Sequence, residues 1–305
     1  MTHSAADLLA ALALSALHSD LSDAERAALA GQTVIRDYPS GGAVFNQNDP
    51  GDGAYVVLEG RVRIAKRLPG GKTIGVASHS KGALFGELAL AGRGGLRTAN
   101  AVAETQTRLL FLPLDAFQAS LRQPGPASVK LLAKLDGLIS ARLSATLADI
   151  PLIGGFLPSS GQPQAGADFP VRDFLAKLPC CAELGEAGRD WLLAESEIMS
   201  AAKGASLENA AYLVVRGAVR ASQGDQQLEV RGPGRFCGEP GLTGLRFTAS
   251  EDSTLLRFSL ERFNALIRGE DSRNFLLAQA FIADRVLSLS AANAYRARDA
   301  ALDGL

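Results

Sequence analysis

Residues 85–99 read FGELALAGRGGLRTA, and this stretch decides how the rest of the chain is interpreted. A short helix that begins at Gly86 would direct its free backbone N–H groups and the positive end of its dipole toward an anion. Glu87 can accept a hydrogen bond from a sugar hydroxyl, and Arg97, ten positions later, can pair with a phosphate. The stretch therefore predicts a site for a small phosphodiester that also carries a sugar hydroxyl.

The segments around this stretch alternate between strand-like runs and turn signals. Short runs rich in β-branched and aromatic residues are separated by glycine and proline clusters, such as those at residues 39–42, 49–53 and 69–72. This spacing favours an antiparallel β-roll or jelly roll over a parallel sheet.

Helical patterns precede and follow the predicted strands. Ser22 and Glu25 have the spacing of a capping box, which predicts a helix running toward Ala30. Residues 128–147 repeat apolar side chains at helical spacing, and their apolar seam predicts packing on a partner helix as well as on the strands. The expected fold class is therefore α+β.

The pattern occurs twice along the chain, in the same order and at an offset of about 150 residues. A chain of 305 residues exceeds the size at which one core keeps growing, so two domains are expected. The echoed segments are 55–63 with 212–220, 85–87 with 236–239, and 109–117 with 255–263.

A run rich in Gly, Pro, Ser and Gln separates the two copies. Such a composition is typical of an exposed connection and sustains neither helix nor strand. We therefore expect a first domain at residues 12–150, a linker at residues 151–169 and a second domain at residues 170–305.

At these motifs the chain resembles the cyclic nucleotide-binding domain family. That family includes the catabolite activator protein, cyclic-nucleotide-gated channels and the regulatory subunits of cyclic-nucleotide-dependent kinases. The resemblance covers about residues 15–147 and includes the strand pair YVVLEGRVRI at residues 55–64. It implies that the helix after Ser128 is a lid and dimer element. The ligand-binding residues that it implies are Gly86, Glu87, Leu88, Ala89, Arg97, Thr98 and Ala99.

The second copy departs from this pattern. Pro240 replaces Leu88, which removes a backbone N–H, and only seven positions separate Glu239 from Arg246. A possible second site retains Gly238, Glu239 and Arg246, but we expect this copy to be degenerate and mainly structural or regulatory.

Composition and charge argue against several other functions. A net charge of −1 provides no global positive field for DNA, and a loose helix-turn-helix pattern near Glu197 runs into the strand pattern at residues 212–217. The chain shows no apolar run long enough for a membrane span and no convincing signal peptide. Residues 1–20 contain no arginine, which disfavours the inhibitory segment of kinase regulatory subunits.

The cysteine and histidine patterns predict neither a metal site nor a cofactor. Cys180, Cys181 and Cys237 are expected to be small buried side chains in a reducing compartment, and the three histidines are scattered. Motifs for a nucleophile with its base and orienting group are lacking, so an enzyme is not expected.

These observations lead to one functional hypothesis and two alternatives. The hypothesis is a cytoplasmic, homodimeric sensor that binds cyclic AMP or cyclic GMP in its first domain and signals to an unidentified protein effector, without DNA or membrane as a partner. The alternatives are a DNA-binding transcriptional regulator resembling the catabolite activator and a ligand-free scaffold of the same fold. The sequence does not decide between the two nucleotides.

Overall fold

A computed structural model describes residues 4–68, 71–91, 95–121, 124–148, 164–165, 169–207, 209–238 and 244–302. The chain divides into two compact units. The first contains Met1–Ile139 and Ala297–Leu305, and the second contains Ser140–Arg296.

The first unit is built around two four-stranded antiparallel sheets. One sheet has the order β1-β8-β3-β6 and the other has the order β2-β7-β4-β5. The core between them includes Tyr55, Phe85, Ala101 and Phe111. The strands are Val34–Tyr38 (β1), Ala43–Phe45 (β2), Gly53–Glu59 (β3), Val62–Arg67 (β4), Thr73–His79 (β5), Leu84–Phe85 (β6), Asn100–Ala103 (β7) and Thr107–Pro113 (β8).

Helices lie before, within and after these strands. The predicted capping box is confirmed, because the Ser22 hydroxyl accepts from the Glu25 backbone N–H and the Glu25 carboxylate accepts from the Ser22 N–H. A second capping box, between Ser4 and Asp7, starts the first helix. The helices are Ala5–Ala13 (α1), Asp23–Ala30 (α2), Leu88–Ala91 (α3), Leu114–Ser120 (α4) and Pro126–Ala148 (α5), with a 3-10 turn at Ala16–His18.

The second unit repeats this strand order. Its sheets have the orders β9-β10-β17-β12-β15 and β11-β16-β13-β14, so the first differs from its counterpart by one added strand. The strands are Gln164–Ala165 (β9), Glu197–Ala201 (β10), Ser206–Leu207 (β11), Ala210–Arg216 (β12), Val219–Gln223 (β13), Gln226–Arg231 (β14), Phe236–Cys237 (β15), Leu245–Ala249 (β16) and Ser253–Ser259 (β17).

A long C-terminal helix provides much of the second core. Its residues Leu277 and Phe281 pack into the cluster that also contains Phe236 and Phe263. The stretch Ser272–Ala294 has the length and apolar composition of a membrane span, but 61% of its most apolar window is buried inside the folded chain. The helices are Val171–Leu175 (α6), Gly185–Ala194 (α7), Leu260–Ile267 (α8) and Ser272–Leu302 (α9), with a 3-10 segment at Pro179–Leu184.

The strand registers confirm the duplication and the α+β class. Tyr55 of β3 lies opposite Phe111 of β8, and Tyr212 of β12 lies opposite Arg257 of β17. Both strand pairs then shift register two residues later, after Val57 and after Val214. The same irregularity at the same place in both units is what a duplicated domain predicts.

Three features discussed from the sequence can be compared with the structure. The residues of the predicted linker lie largely outside the described part of the chain, but Gln164 and Ala165 form a strand, β9, that pairs with β10. The contact division of the chain falls within α5, after Ile139, rather than in that linker. Glu197–Ala201, which loosely resembled a helix-turn-helix, is strand β10.

Helix α5, which suggested the dimer, has both buried and half-buried members in its seam. Six of its apolar side chains are 4% exposed or less in the single chain, whereas Leu138 and Arg142 are half-buried. The homodimer stays a prediction. The buried seam consists of Leu131, Leu132, Leu135, Ile139, Leu143 and Leu147.

His18 is a titratable residue in the 3-10 turn that precedes α2. Its side chain is 3% exposed. Burial, assisted by the nearby Arg26 guanidinium, lowers the pKa of His18 from 6.5 to about 4. The imidazole is therefore neutral in the folded state at pH 7.

We expect His18 to make the protein less stable in mild acid. As pH falls from 6.5 toward 4, the unfolded chain takes up a proton at His18 that the folded chain does not, so stability decreases across this window. The loss should be on the order of 1 to 3 kcal/mol at about 1.4 kcal/mol per pKa unit. Urea unfolding of the wild type and His18→Leu measures it. Equal pH slopes for the two proteins would contradict the expectation.

Candidate nucleotide site

Gly86 places the central turn of the candidate site. Its φ angle is +73°, in the left-handed region that favours glycine, and a Cβ there would lie 2.8 Å from Nη1 of Arg97. Helix α3 begins two residues later, at Leu88, rather than at Gly86 as the sequence predicted. The glycine is therefore needed to let the Arg97 side chain pass directly over the turn.

Arg97 lies in the connection before β7 and is almost fully buried, with its side chain 3% exposed. Its Nη2 donates to Oδ1 of Asp52 at 2.5 Å, and its Nη1 donates to the carbonyl oxygen of Gly86 at 3.2 Å. Its backbone N–H donates to the carbonyl of Asp49 at 2.8 Å. The cation is thus held at the turn by both its side chain and its backbone.

Aromatic rings form the wall behind the guanidinium. The guanidinium carbon of Arg97 lies 4.2 Å from the ring centre of Phe45 and 5.7 Å from that of Tyr55. The Tyr55 and Phe85 rings stack with centres 5.4 Å apart. Burial, with a smaller effect of Asp52, raises the pKa of Tyr55 to about 12, so the phenol stays protonated. The rings face a cation, which is a favourable arrangement.

Glu87 is fully buried, at 0% exposure, between the Gly86 turn and the start of α3. Glu87 and Arg97 therefore do not lie on the surface, and the Arg97 guanidinium pairs with Asp52. Glu87 provides a buried acceptor, and Arg97 provides a buried cation that donates to the carbonyl of the preceding residue, Gly86.

The remaining predicted residues of the first site surround this pair. Ala89 is 6% exposed within α3, and Ala99 is 8% exposed. Leu88 opens α3 and is half-buried, whereas Thr98 is exposed. The roles of these side chains in binding stay predictions.

Sequence reasoning missed two residues of the site. Asp52 belongs to the turn at residues 49–53, which was interpreted only as a strand boundary, and Phe45 ends the short strand β2. Both contact Arg97 from positions about fifty residues earlier in the chain, and local spacing does not indicate such contacts. The one signal in the sequence that pointed to Asp52 is its acidic side chain directly before Gly53, where the strand that contains YVVLEG begins.

The second unit places its candidate residues differently. Gly238 has a φ of +71° and matches Gly86, whereas Glu239 lies outside the described residues. Arg246 lies in β16 opposite Ser222, which is the register of Asn100 opposite Ala65 in the first unit. It therefore does not correspond to Arg97. Its side chain is 43% exposed and approaches Asp225 at 3.6 Å and the Gly224 carbonyl.

Comparison with known proteins identifies the family of the first unit. Residues 35–123 match the model of the cyclic nucleotide-binding domain. The first unit thus contains a domain that matches the cyclic nucleotide-binding domain family, as its motifs indicated.

Individual relatives show how far the likeness extends. The CRP-like cAMP-activated global transcriptional regulator of Mycobacterium tuberculosis is 32% identical over 124 residues, which cover 41% of this chain and 54% of the regulator. The cyclic AMP receptor protein of Thermus thermophilus is 39% identical over 119 residues, 39% of this chain and 52% of that protein. The chain thus matches about half the length of these curated relatives.

Solved structures are matched as well. The regulatory domain of Toxoplasma gondii PKA, in a co-crystal structure with cAMP, is 16% identical to this chain and gives a TM-score of 0.37. The match covers 90% of this chain and 94% of the Toxoplasma chain.

Replacing Arg97 tests the site directly. Hydrogen bonds to charged groups contribute about 1.5 to 3 kcal/mol each, so Arg97→Ala should weaken nucleotide binding by about a hundredfold or more. Arg97→Lys should recover only part of the loss, because a point charge does not reproduce the planar fork. Isothermal titration with cyclic AMP and with cyclic GMP measures both changes.

A matched variant separates the site from general electrostatics. Arg108→Ala removes a guanidinium of the same unit that pairs on the surface with Asp37 and Glu59. We expect this variant to keep wild-type affinity. Thermal unfolding of each variant checks that the first unit still folds, since Arg97 is also buried. Wild-type affinity in a folded Arg97→Ala protein would show that this turn does not bind the phosphate.

Proposed function

We propose that the chain is a cyclic mononucleotide sensor that binds cyclic AMP or cyclic GMP in its first unit. The buried Arg97 guanidinium, positioned at the Gly86 turn, carries this proposal. A cation held in low dielectric attracts a phosphate more strongly than an exposed one does. The proposed ligand set is Gly86, Glu87, Leu88, Ala89, Arg97, Thr98 and Ala99.

The chemistry of Glu87 narrows the class of ligand. An anion without a sugar would gain nothing from a second, negative group in the same segment as the cation. A cyclic nucleotide presents a phosphate and a ribose hydroxyl together, so it uses both Arg97 and Glu87. The cAMP-activated regulator and the cyclic AMP receptor protein among the relatives support cyclic AMP as the first ligand to test.

Signalling is proposed to pass by a conformational change to a protein effector, with the chain acting in the cytoplasm and not as an enzyme.

A second candidate function, DNA-binding regulation, is favoured by the transcriptional regulators among the relatives. Fluorescence anisotropy with labelled duplex DNA, with and without cyclic AMP at two salt concentrations, tests that alternative. Binding that strengthens with nucleotide and weakens with salt would establish it.

We expect one cyclic nucleotide to bind per chain. The first unit joins a buried guanidinium to its turn, whereas the guanidinium of Arg246 lies on the surface of the second unit. Isothermal titration of the full chain gives stoichiometry and affinity together. Two sites per chain would contradict the expectation, as would one site that survives Glu87→Ala combined with Arg97→Ala.

Arg246→Ala provides the matched control for the second unit. It should change neither stoichiometry nor affinity, because its guanidinium contacts the Gly224 carbonyl and Asp225 on the surface. Sedimentation of the wild type with and without nucleotide determines whether the proposed homodimer forms.

A further inference from the structure

The second unit contains a buried cluster of charged side chains that the nucleotide site does not use. Arg231, at the end of β14, is 1% exposed, and Asp284, in the middle of α9, is 4% exposed. Glu229 lies between them with its side chain 11% exposed, and Arg235 follows in the loop before β15. Two guanidinium and two carboxylate groups therefore lie together between the β-roll and α9. We call these four residues the fastening cluster: Glu229, Arg231, Arg235 and Asp284.

These groups pair across the boundary between the β-roll and the helix of the same unit. Arg235 donates to the Asp284 carboxylate through Nε and to the Glu229 carboxylate through Nη2, the latter at 3.0 Å. Arg231 donates to Glu229 at 2.7 Å and to the Ser288 hydroxyl of α9 at 2.9 Å. Asp284 and Ser288 are four residues apart, so one face of α9 receives both contacts.

Arg231 also contacts two residues of the β-roll in its own unit. Its Nη1 donates to the carbonyl oxygen of Phe236 in β15 at 2.6 Å, and its guanidinium carbon lies 5.0 Å from the ring centre of Phe247. Burial alone would raise the pKa of Glu229, but the charges of Arg231 and Arg235 outweigh burial, and the pKa lies below its ordinary value. The cluster is therefore charged, paired and hydrogen-bonded at neutral pH.

The first unit cannot form this cluster, because strand register identifies the equivalent positions. Arg231 lies opposite Val219 as His79 lies opposite Val62, and Glu229 matches Ala77 in the same way. The Arg235 carbonyl accepts from Val214 as the Ala83 carbonyl accepts from Val57. The set Ala77, His79 and Ala83 carries no carboxylate and no guanidinium, so the fastening cluster is specific to the second copy.

Removing one member of a buried ion pair is strongly unfavourable, because it leaves an uncompensated charge. Moving α9 away from the roll would do this at Asp284 and would also remove an acceptor from Arg231. Phe247 occupies the register position of Ala101, so a larger side chain fills this part of the second roll. The contacts of Asp284 and Ser288 to Arg235 and Arg231 join α9 to the roll through groups of the chain itself.

We propose that the second unit is permanently closed, with helix α9 fastened to its own β-roll by the buried cluster in the absence of any nucleotide. Such a unit is a fixed platform and not a second sensor. The inference does not depend on the proposed function, because all of its contacts lie within the second unit.

Hydrogen exchange of the full chain, followed by mass spectrometry, tests this inference. In the wild type, exchange of the α9 amides at residues 277–290 should change less than about threefold on saturation with cyclic AMP or cyclic GMP. Asp284→Asn, which removes only the charge, should speed this exchange at least about tenfold without nucleotide. Glu197→Gln breaks an exposed ion pair with Arg257 in the same unit and should leave it unchanged.

Two outcomes would overturn the inference. One is a nucleotide-dependent change of threefold or more in α9 of the wild type. The other is an Asp284→Asn protein that exchanges like Glu197→Gln. If Asp284→Asn does not fold, Ser288→Ala decides, since it removes only the hydroxyl that accepts from Arg231 and Arg235. Faster exchange in Ser288→Ala supports the cluster, and wild-type exchange contradicts it. If no nucleotide binds, the comparison of variants without ligand still decides.

Discussion

A buried guanidinium has to be compensated, and this requirement organises the first unit. Arg97 is 4% exposed, and the groups that compensate it come from separate parts of the chain: the Asp52 carboxylate, the Gly86 carbonyl and the face of Phe45. The guanidinium itself is shielded from water, whereas its partner Asp52 is 57% exposed, so the contacts to Gly86 and Phe45 are the ones made away from solvent. The same requirement explains why residue 86 is a glycine, because a Cβ at that position would collide with the Arg97 guanidinium.

The second unit meets the same requirement at another place in the same fold. Its buried cation, Arg231, lies at the end of β14 and is compensated by Glu229 and by the helix hydroxyl of Ser288. The duplicated strand order thus holds two different electrostatic centres. In one, the cation faces the Gly86 turn; in the other, it faces the C-terminal helix. The two copies therefore differ in which charges the fold buries, while the shared strands keep the same pairing apart from the added β9.

Local patterns in the sequence were sufficient for the fold and for part of the site. Three predictions depended only on residues that are close together in the sequence, and the structure confirms them. They are the Ser22–Glu25 capping box, the repeated strand segments and the turn at Gly86. Asp52 was missed because its role depends on Arg97, 45 residues away. Arg246 was misaligned because register is set by strand pairing and not by linear spacing. Most apolar side chains of α5 are buried in the single chain, so their pattern does not distinguish packing within the chain from packing on a partner, and the homodimer stays a prediction.

The helices that follow the two rolls are held by different kinds of ion pair. In the first unit, Lys130 pairs with Glu25 at 3.0 Å and Lys134 pairs with Asp20 at 3.1 Å, and the lysines are 40% and 36% exposed. Water and salt screen such pairs, so they add little resistance to a rearrangement of α5. In the second unit, the carboxylate of the Arg235–Asp284 pair is 3% exposed, and moving α9 away would leave it buried without this partner. The proposed ligand site at Arg97 thus lies in the unit whose charge pairs cost less free energy to rearrange, as the proposed sensor and the proposed fixed platform would require.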